Sequence, residues 1–88
     1  MSDTTKHTVV RPIYEIADDI RRCWPNPNYA VIPYLNAMDC LMDVSDMFGL
    51  DTGRAIISYF LNHADSWRSA DGQRIRAELK SMITSEAQ

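Results

Sequence analysis

The stretch Pro33-Tyr34-Leu35-Asn36-Ala37-Met38-Asp39-Cys40-Leu41-Met42-Asp43-Val44-Ser45-Asp46-Met47-Phe48 decides how the chain folds. At about 100° per residue, Asn36, Asp39, Asp43 and Asp46 share one narrow arc, while Tyr34, Leu35, Ala37, Met38, Leu41, Met42, Val44, Met47 and Phe48 take most of the circumference. An ordinary surface helix buries an apolar stripe of ~100° or somewhat more. The pattern therefore predicts a helix over 31–48 that is covered on several sides, by the rest of the chain or by a second copy.

Upstream, Ile13, Ile16, Ala17, Ile20 and Trp24 share a face opposite Glu15, Asp18, Asp19, Arg21 and Arg22. With Pro12 suited to a first helical position, this predicts a helix over 12–24. Pro25-Asn26-Pro27-Asn28 stops it, since proline removes a helix donor and asparagine favours turns. Gly49 is read as the left-handed residue ending the central helix, with Leu50 closing the motif by an apolar contact. Asp51 is read as the N-cap of the next helix, over 52–67, whose inward residues are Ile56, Ile57, Phe60, Leu61, Ala64 and Trp67. Ser69 caps a last helix over 70–83 with Ile75, Leu79, Met82 and Ile83 inward. The fold class expected is all-α, a compact bundle of four helices with short connections. Residues 1–10 read as a flexible tail, with Val9 and Val10 docking on the core, 11–84 as a single helical domain and 85–88 as a frayed C-terminus.

At 88 residues and 45% apolar composition the chain suits one small domain, for which self-association is a natural supplement to a limited core. The net charge of −3 opposes non-specific binding to nucleic acid or anionic membrane, both of which need a dense cationic surface. No run of 18 apolar residues occurs, and the Met1 to His7 stretch lacks a cationic leader and an apolar core, so the expected location is the cytoplasm, without membrane contact. Cys23 and Cys40 are read as reduced, buried small hydrophobes, having no Cys-x-x-Cys or Cys/His ligand spacing.

Catalytic chemistry finds no anchor, because no Ser/His/Asp or Cys/His set assembles with any specificity. Tyr59 and His63, at i and i+4, are read as a boundary pair packing their rings on the rim of the core. Asp39, Asp43 and Asp46 stack along one side of the predicted central helix as a solvated face or a contact for a basic partner; a calcium loop is excluded because the glycine-containing pattern of such loops is absent. Arg68, Arg74, Arg76 and Lys80 make the only basic cluster, read first as a soluble helix surface and otherwise as a contact for an acidic protein surface or for nucleic acid. The Gly49-Leu50-Asp51 turn invites a helix-turn-helix reading, but Arg54 is the sole cation on the outer face among Ser58, Asn62 and Asp65, too few for phosphate anchoring. Tyr14 completes the candidates as an aromatic opposite the apolar stripe of the first helix.

Taken together, Ile13-Tyr14-Glu15-Ile16-Ala17 with Ile20-Arg21, Pro33 to Met38, Tyr59 to Ala64 and Trp67-Arg68 resemble short helical proteins of bacterial, plasmid and bacteriophage genomes that carry no assigned activity. That resemblance implies a mobile-element or phage setting and a host protein as partner. The functional expectation is a small acidic, non-enzymatic interaction module, without cofactor or metal, that forms a homodimer; the alternative is a nucleic-acid-associated regulator using the last helix's basic cluster.

Overall fold

The computed structural model describes residues 11–86. In chain order these form α1 (Ile13–Cys23), a 3-10 turn (Tyr29–Val31) leading directly into α2 (Ile32–Met38), strands β1 (Met47–Phe48) and β2 (Asp51–Thr52), α3 (Gly53–His63) and α4 (Ala70–Glu86). The molecule is thus mostly helical, with α1 and α3 each packing against both α2 and α4. Its core is the one the apolar periods select: Ile13, Ile16, Ala17 and Ile20 from α1, Leu35 and Met38 from α2, Ile56, Ile57 and Phe60 from α3, and Ile75 and Leu79 from α4 are all buried. Beyond the helices, Trp24 stacks on Trp67, ring centroids 4.7 Å apart and planes within 5°, joining the end of α1 to the α3–α4 connection.

The helix expected over 31–48 is corrected: it stops at Met38. Helix N-termini leave backbone N–H groups without intrahelical partners, and Pro12, the N-cap of α1, has no side-chain oxygen to offer them. The Met42 carbonyl instead accepts from Ile13 N–H at 3.1 Å and the Leu41 carbonyl from Tyr14 N–H at 2.9 Å. A few residues later, the Asp46 carbonyl accepts from Gly53 N–H at 2.7 Å and the Val44 carbonyl from Arg54 N–H at 2.9 Å, which caps α3. In a continued helix these carbonyls would be aimed along their own axis. The Asp46 carboxylate completes the diversion, because its Oδ2 accepts from Met42 N–H at 2.9 Å and Asp43 N–H at 3.1 Å, the donors a longer helix would have turned toward Met38 and Asp39. Residues 39–46 are therefore a loop that caps two helices with main-chain oxygens while still burying Leu41 and Val44.

The purely helical expectation also fails just beyond, where Met47 pairs with Thr52 and Phe48 with Asp51 in an antiparallel hairpin. Gly49 does adopt positive φ (65°), but in the hairpin turn rather than at a helix end. Leu50 makes no closing apolar contact and is 97% exposed. The N-cap of α3 is Thr52, not Asp51: its Oγ1 accepts from Ala55 N–H at 3.2 Å. Gly53 is required by a close approach, since a Cβ there would lie 2.7 Å from the Asp43 carbonyl oxygen. Downstream, α3 ends at His63, short of the expected 67, although Ala64 and Trp67 remain buried. Ser69 caps α4 as expected, its Oγ accepting from Gly72 N–H at 3.0 Å, and α4 runs on to Glu86 rather than ending at 83. The expected tail over 1–10, including Val9 and Val10, lies outside the described residues, as do Ala87 and Gln88.

Candidate interaction surfaces

The acidic stripe expected on the central helix is dispersed by the loop. Asp39 sits at the end of α2 and binds Arg21 of α1, Oδ1 to Nη1 at 2.7 Å, with Asn36 Oδ1 accepting from the same guanidinium at 3.2 Å. Both partners are more than a third exposed, so the pair adds on the order of 0–1 kcal/mol. Asp46 is committed to the loop backbone, as above. Asp43 accepts from the Ser45 hydroxyl at 2.8 Å and otherwise faces water, and exposed Asp51 lies across the hairpin from Phe48. The carboxylates left open thus flank the hairpin instead of lining a helix.

The basic cluster is divided. Arg74 faces α1, its guanidinium 3.3 Å from Asp71 and 3.9 Å from Asp19. Arg76 and Lys80 stay together along a groove of about 440 Å³ between the C-terminal half of α3 and α4, walled by Leu61, Asn62 and Ala77, and Arg68 lines an adjoining recess that shares Asp65, Gln73 and Arg76 with it. Main-chain bonds set its rim: Arg68 Nε donates to the Asp65 carbonyl at 3.1 Å and Gln73 Nε2 to the Arg68 carbonyl at 3.0 Å. Arg76 Nε is buried without a hydrogen-bond partner. Among the described residues none of these three cations forms a side-chain ion pair. Arg54, the cation of the rejected recognition helix, is turned inward, its Nη1 donating to the Ile83 carbonyl of α4.

Sequence periodicity missed a third site. Asp19 lies on the outward face of α1 by period, yet it is 8% exposed. Its Oδ2 accepts from Arg11 Nη1 at 3.0 Å and its Oδ1 from Arg22 Nη2 at 2.6 Å. Arg11 in turn grips Glu78 of α4 with two bonds, at 2.7 and 3.1 Å. Burial opposes the Asp19 charge, but the hydrogen bonds and positive charges of Arg11 and Arg22 outweigh it and hold the carboxyl below its ordinary range. The bonds to Glu78 and Asp19 likewise raise Arg11 well above the usual arginine value despite partial burial. An Arg at 11, outside the predicted helix, was the sequence signal available for this clamp between α1 and α4. Close by, burial and then the charges of Asp71 and Asp19 push the Cys23 thiol up, an unreactive setting. Cys23 is half-buried and Cys40 exposed, so the expectation of two buried thiols is corrected, while both are free.

Large apolar side chains mark the remaining surface. Met42, Met47, Phe48 and Leu50 are exposed around the hairpin, and Tyr29, 86% exposed, stands with Ile32 and Pro33 on a shelf at the start of α2. Tyr14 is exposed on α1 while its own N–H is held by the loop. Tyr59 and His63 pack on Tyr34, with centroids 5.5 and 5.7 Å away, and His63 Nδ1 donates to the Tyr59 carbonyl at 2.9 Å, so the pair is a rim contact of α2 with α3. Among the described residues no group of three His, Cys, Asp or Glu side chains is placed to hold a metal ion, and no helix is long and apolar enough to cross a membrane. Comparison with protein-family models, curated proteins and solved structures finds no match.

Proposed function

We propose that this chain is a non-enzymatic helical module that works by binding a protein, a host protein in the phage or mobile-element setting that its sequence resemblance implies. The carrying observation is the hairpin: between positions 42 and 50 the side chains of Met42, Met47, Phe48 and Leu50 are all turned to solvent, Leu50 almost completely. Removing large apolar groups from water is the main gain in association, and placing them on a short arm whose flanks are rigidly tied to α1 and α3 costs little ordering on binding. Flexible methionines suit a surface that adapts to its partner. Homodimer formation in the cytoplasm belongs to the same reading.

The test is capture from the source cells followed by reconstitution with the purified candidate. Leu50→Ser, which removes an exposed side chain and leaves the core untouched, should weaken that reconstituted complex by at least about tenfold. A complex indifferent to Leu50, Phe48 and Met47 would remove the hairpin from the reading. The nucleic-acid alternative has the Arg68, Arg76 and Lys80 surface in its favour and makes a different demand: binding to duplex DNA that falls steeply with salt and is lost on Lys80→Glu.

A further inference from the structure

Two surfaces of opposite character sit at opposite ends of α3. Before its N-terminus the hairpin offers Met47, Phe48 and Leu50 between the exposed carboxylates of Asp43 and Asp51. At its C-terminal end the groove and its adjoining recess offer Arg68, Arg76 and Lys80 beside an apolar floor of Leu61 and Ala77. Each surface holds what the other lacks: an apolar tip with negative flanks, and a recess with positive walls. Asp65, which also lines the groove, reduces its positive charge without cancelling three cations.

From this charge complementarity we propose that the occupant of each groove is the hairpin of a second copy of this chain. The proposal rests on the reading of the hairpin as a binding arm. An eleven-residue helix is about 16 Å long, and both surfaces are built on it. In the proposed pair the α3 helices run antiparallel so that hairpin meets groove at both ends, a closed two-fold arrangement in which one chain's residue i meets residue j and the reverse. Asp43 and Asp51 meet Arg68 and Lys80 of the other copy, and Leu50 meets Leu61. The unpartnered edge of Arg76 lies within the covered area. Opposite charges at the rim set the register and the rate of encounter, while burial of the apolar tip holds the pair together.

The experiment is sedimentation of the full chain from micromolar to millimolar concentration, with charges reversed on exposed residues only. Asp43→Lys with Asp51→Lys gives a chain whose hairpin and groove are both positive; Arg68→Glu with Lys80→Glu gives one whose hairpin and groove are both negative. Each variant alone should associate at least about tenfold more weakly than the wild type, because like charges then face each other twice. An equimolar mixture of the two restores both complementary contacts and should recover association to within about threefold of the wild type. Circular dichroism of each variant confirms that the fold is retained. A mixture that stays monomeric while the wild type associates overturns the proposal, because the pair then uses another surface. A wild type that remains monomeric at millimolar concentration also overturns it. In that case the homodimer is lost from the proposed function as well, while the hairpin's role toward another protein is decided separately by the Leu50→Ser complex.

Discussion

Replacing Gly53 by alanine sets two physical effects against each other. In the first turn of an unobstructed helix the change stabilises by about 0.5–1 kcal/mol, through helix propensity and a less flexible unfolded chain. In this fold the added Cβ would stand 2.7 Å from the Asp43 carbonyl oxygen and 3.0 Å from the Val44 Cα, both of them backbone atoms that no rotamer change can move. Reaching ordinary contact requires the loop to retreat by about 0.7 Å. That retreat acts directly on the 2.7 Å bond from Gly53 N–H to the Asp46 carbonyl and the 2.9 Å bond from Arg54 N–H to the Val44 carbonyl. Overpacking of this kind costs typically 1–3 kcal/mol, and impairing one of the bonds adds about 1 kcal/mol, against the propensity gain. The net expectation is a loss of roughly 1–3 kcal/mol. Urea unfolding followed by far-ultraviolet circular dichroism measures it: with a slope near ~1 kcal/mol per molar, the midpoint should fall by about 1–3 M. A midpoint equal to or above that of the wild type would refute the close approach of the loop to α3, and with it the loop's role as a cap for that helix.

Leu41→Ala removes a side chain that is fully buried although it lies on a loop, and should cost about 2–5 kcal/mol in the same assay; a loss under about 1 kcal/mol would place Leu41 outside the core. Asp19→Asn weakens the clamp of Arg11 and Arg22 and should cost about 1–3 kcal/mol at neutral pH. Because the folded carboxyl of Asp19 titrates below its unfolded value, its stabilisation is complete at neutral pH and is lost as pH falls through the acid range, so the variant should show a shallower acid-side decline of stability than the wild type. Equal declines would mean that Asp19 contributes nothing to acid unfolding. A disulfide-exchange reagent should modify Cys40 well before Cys23, which burial and neighbouring carboxylates keep protonated; equal rates would contradict that environment.

The apolar period of α1, α3 and α4 was enough to locate them, because each buries one stripe and its side chains obey the local 3.6-residue repeat. Residues 39–48 show the same repeat without being helical. Periodicity registers side chains only, whereas the fate of this segment is set by its carbonyl oxygens, taken by the N-termini of α1 and α3 at sequence separations no local pattern records. Leu41 and Val44 accordingly match the expected burial while Met42, Met47 and Phe48 do not. Among the candidate site residues, Arg68, Arg76 and Lys80 do share a surface. Arg74 departs because Asp71 and Asp19 draw it to the other side of α4, and Asp39 because Arg21 lies within reach. Asp19 escaped notice for a related reason: by period it faces out, and its burial comes from Arg11 and from the α4 side chains with which Arg11 connects it.

The stack of Trp24 on Trp67 gives the molecule an uneven optical response. These are the two tryptophans of the chain, and their indole planes lie nearly parallel at 4.7 Å, close enough for their electronic transitions to couple. Tryptophan emission therefore reports on one seam, where the end of α1 meets the α3–α4 connection. Opening of that seam would quench or shift the signal with every helix still wound, and movement of the hairpin arm would pass unseen. Phe48→Trp in a chain whose Trp24 and Trp67 are replaced by phenylalanine would instead report on the hairpin alone, at the other end of α3 from the seam.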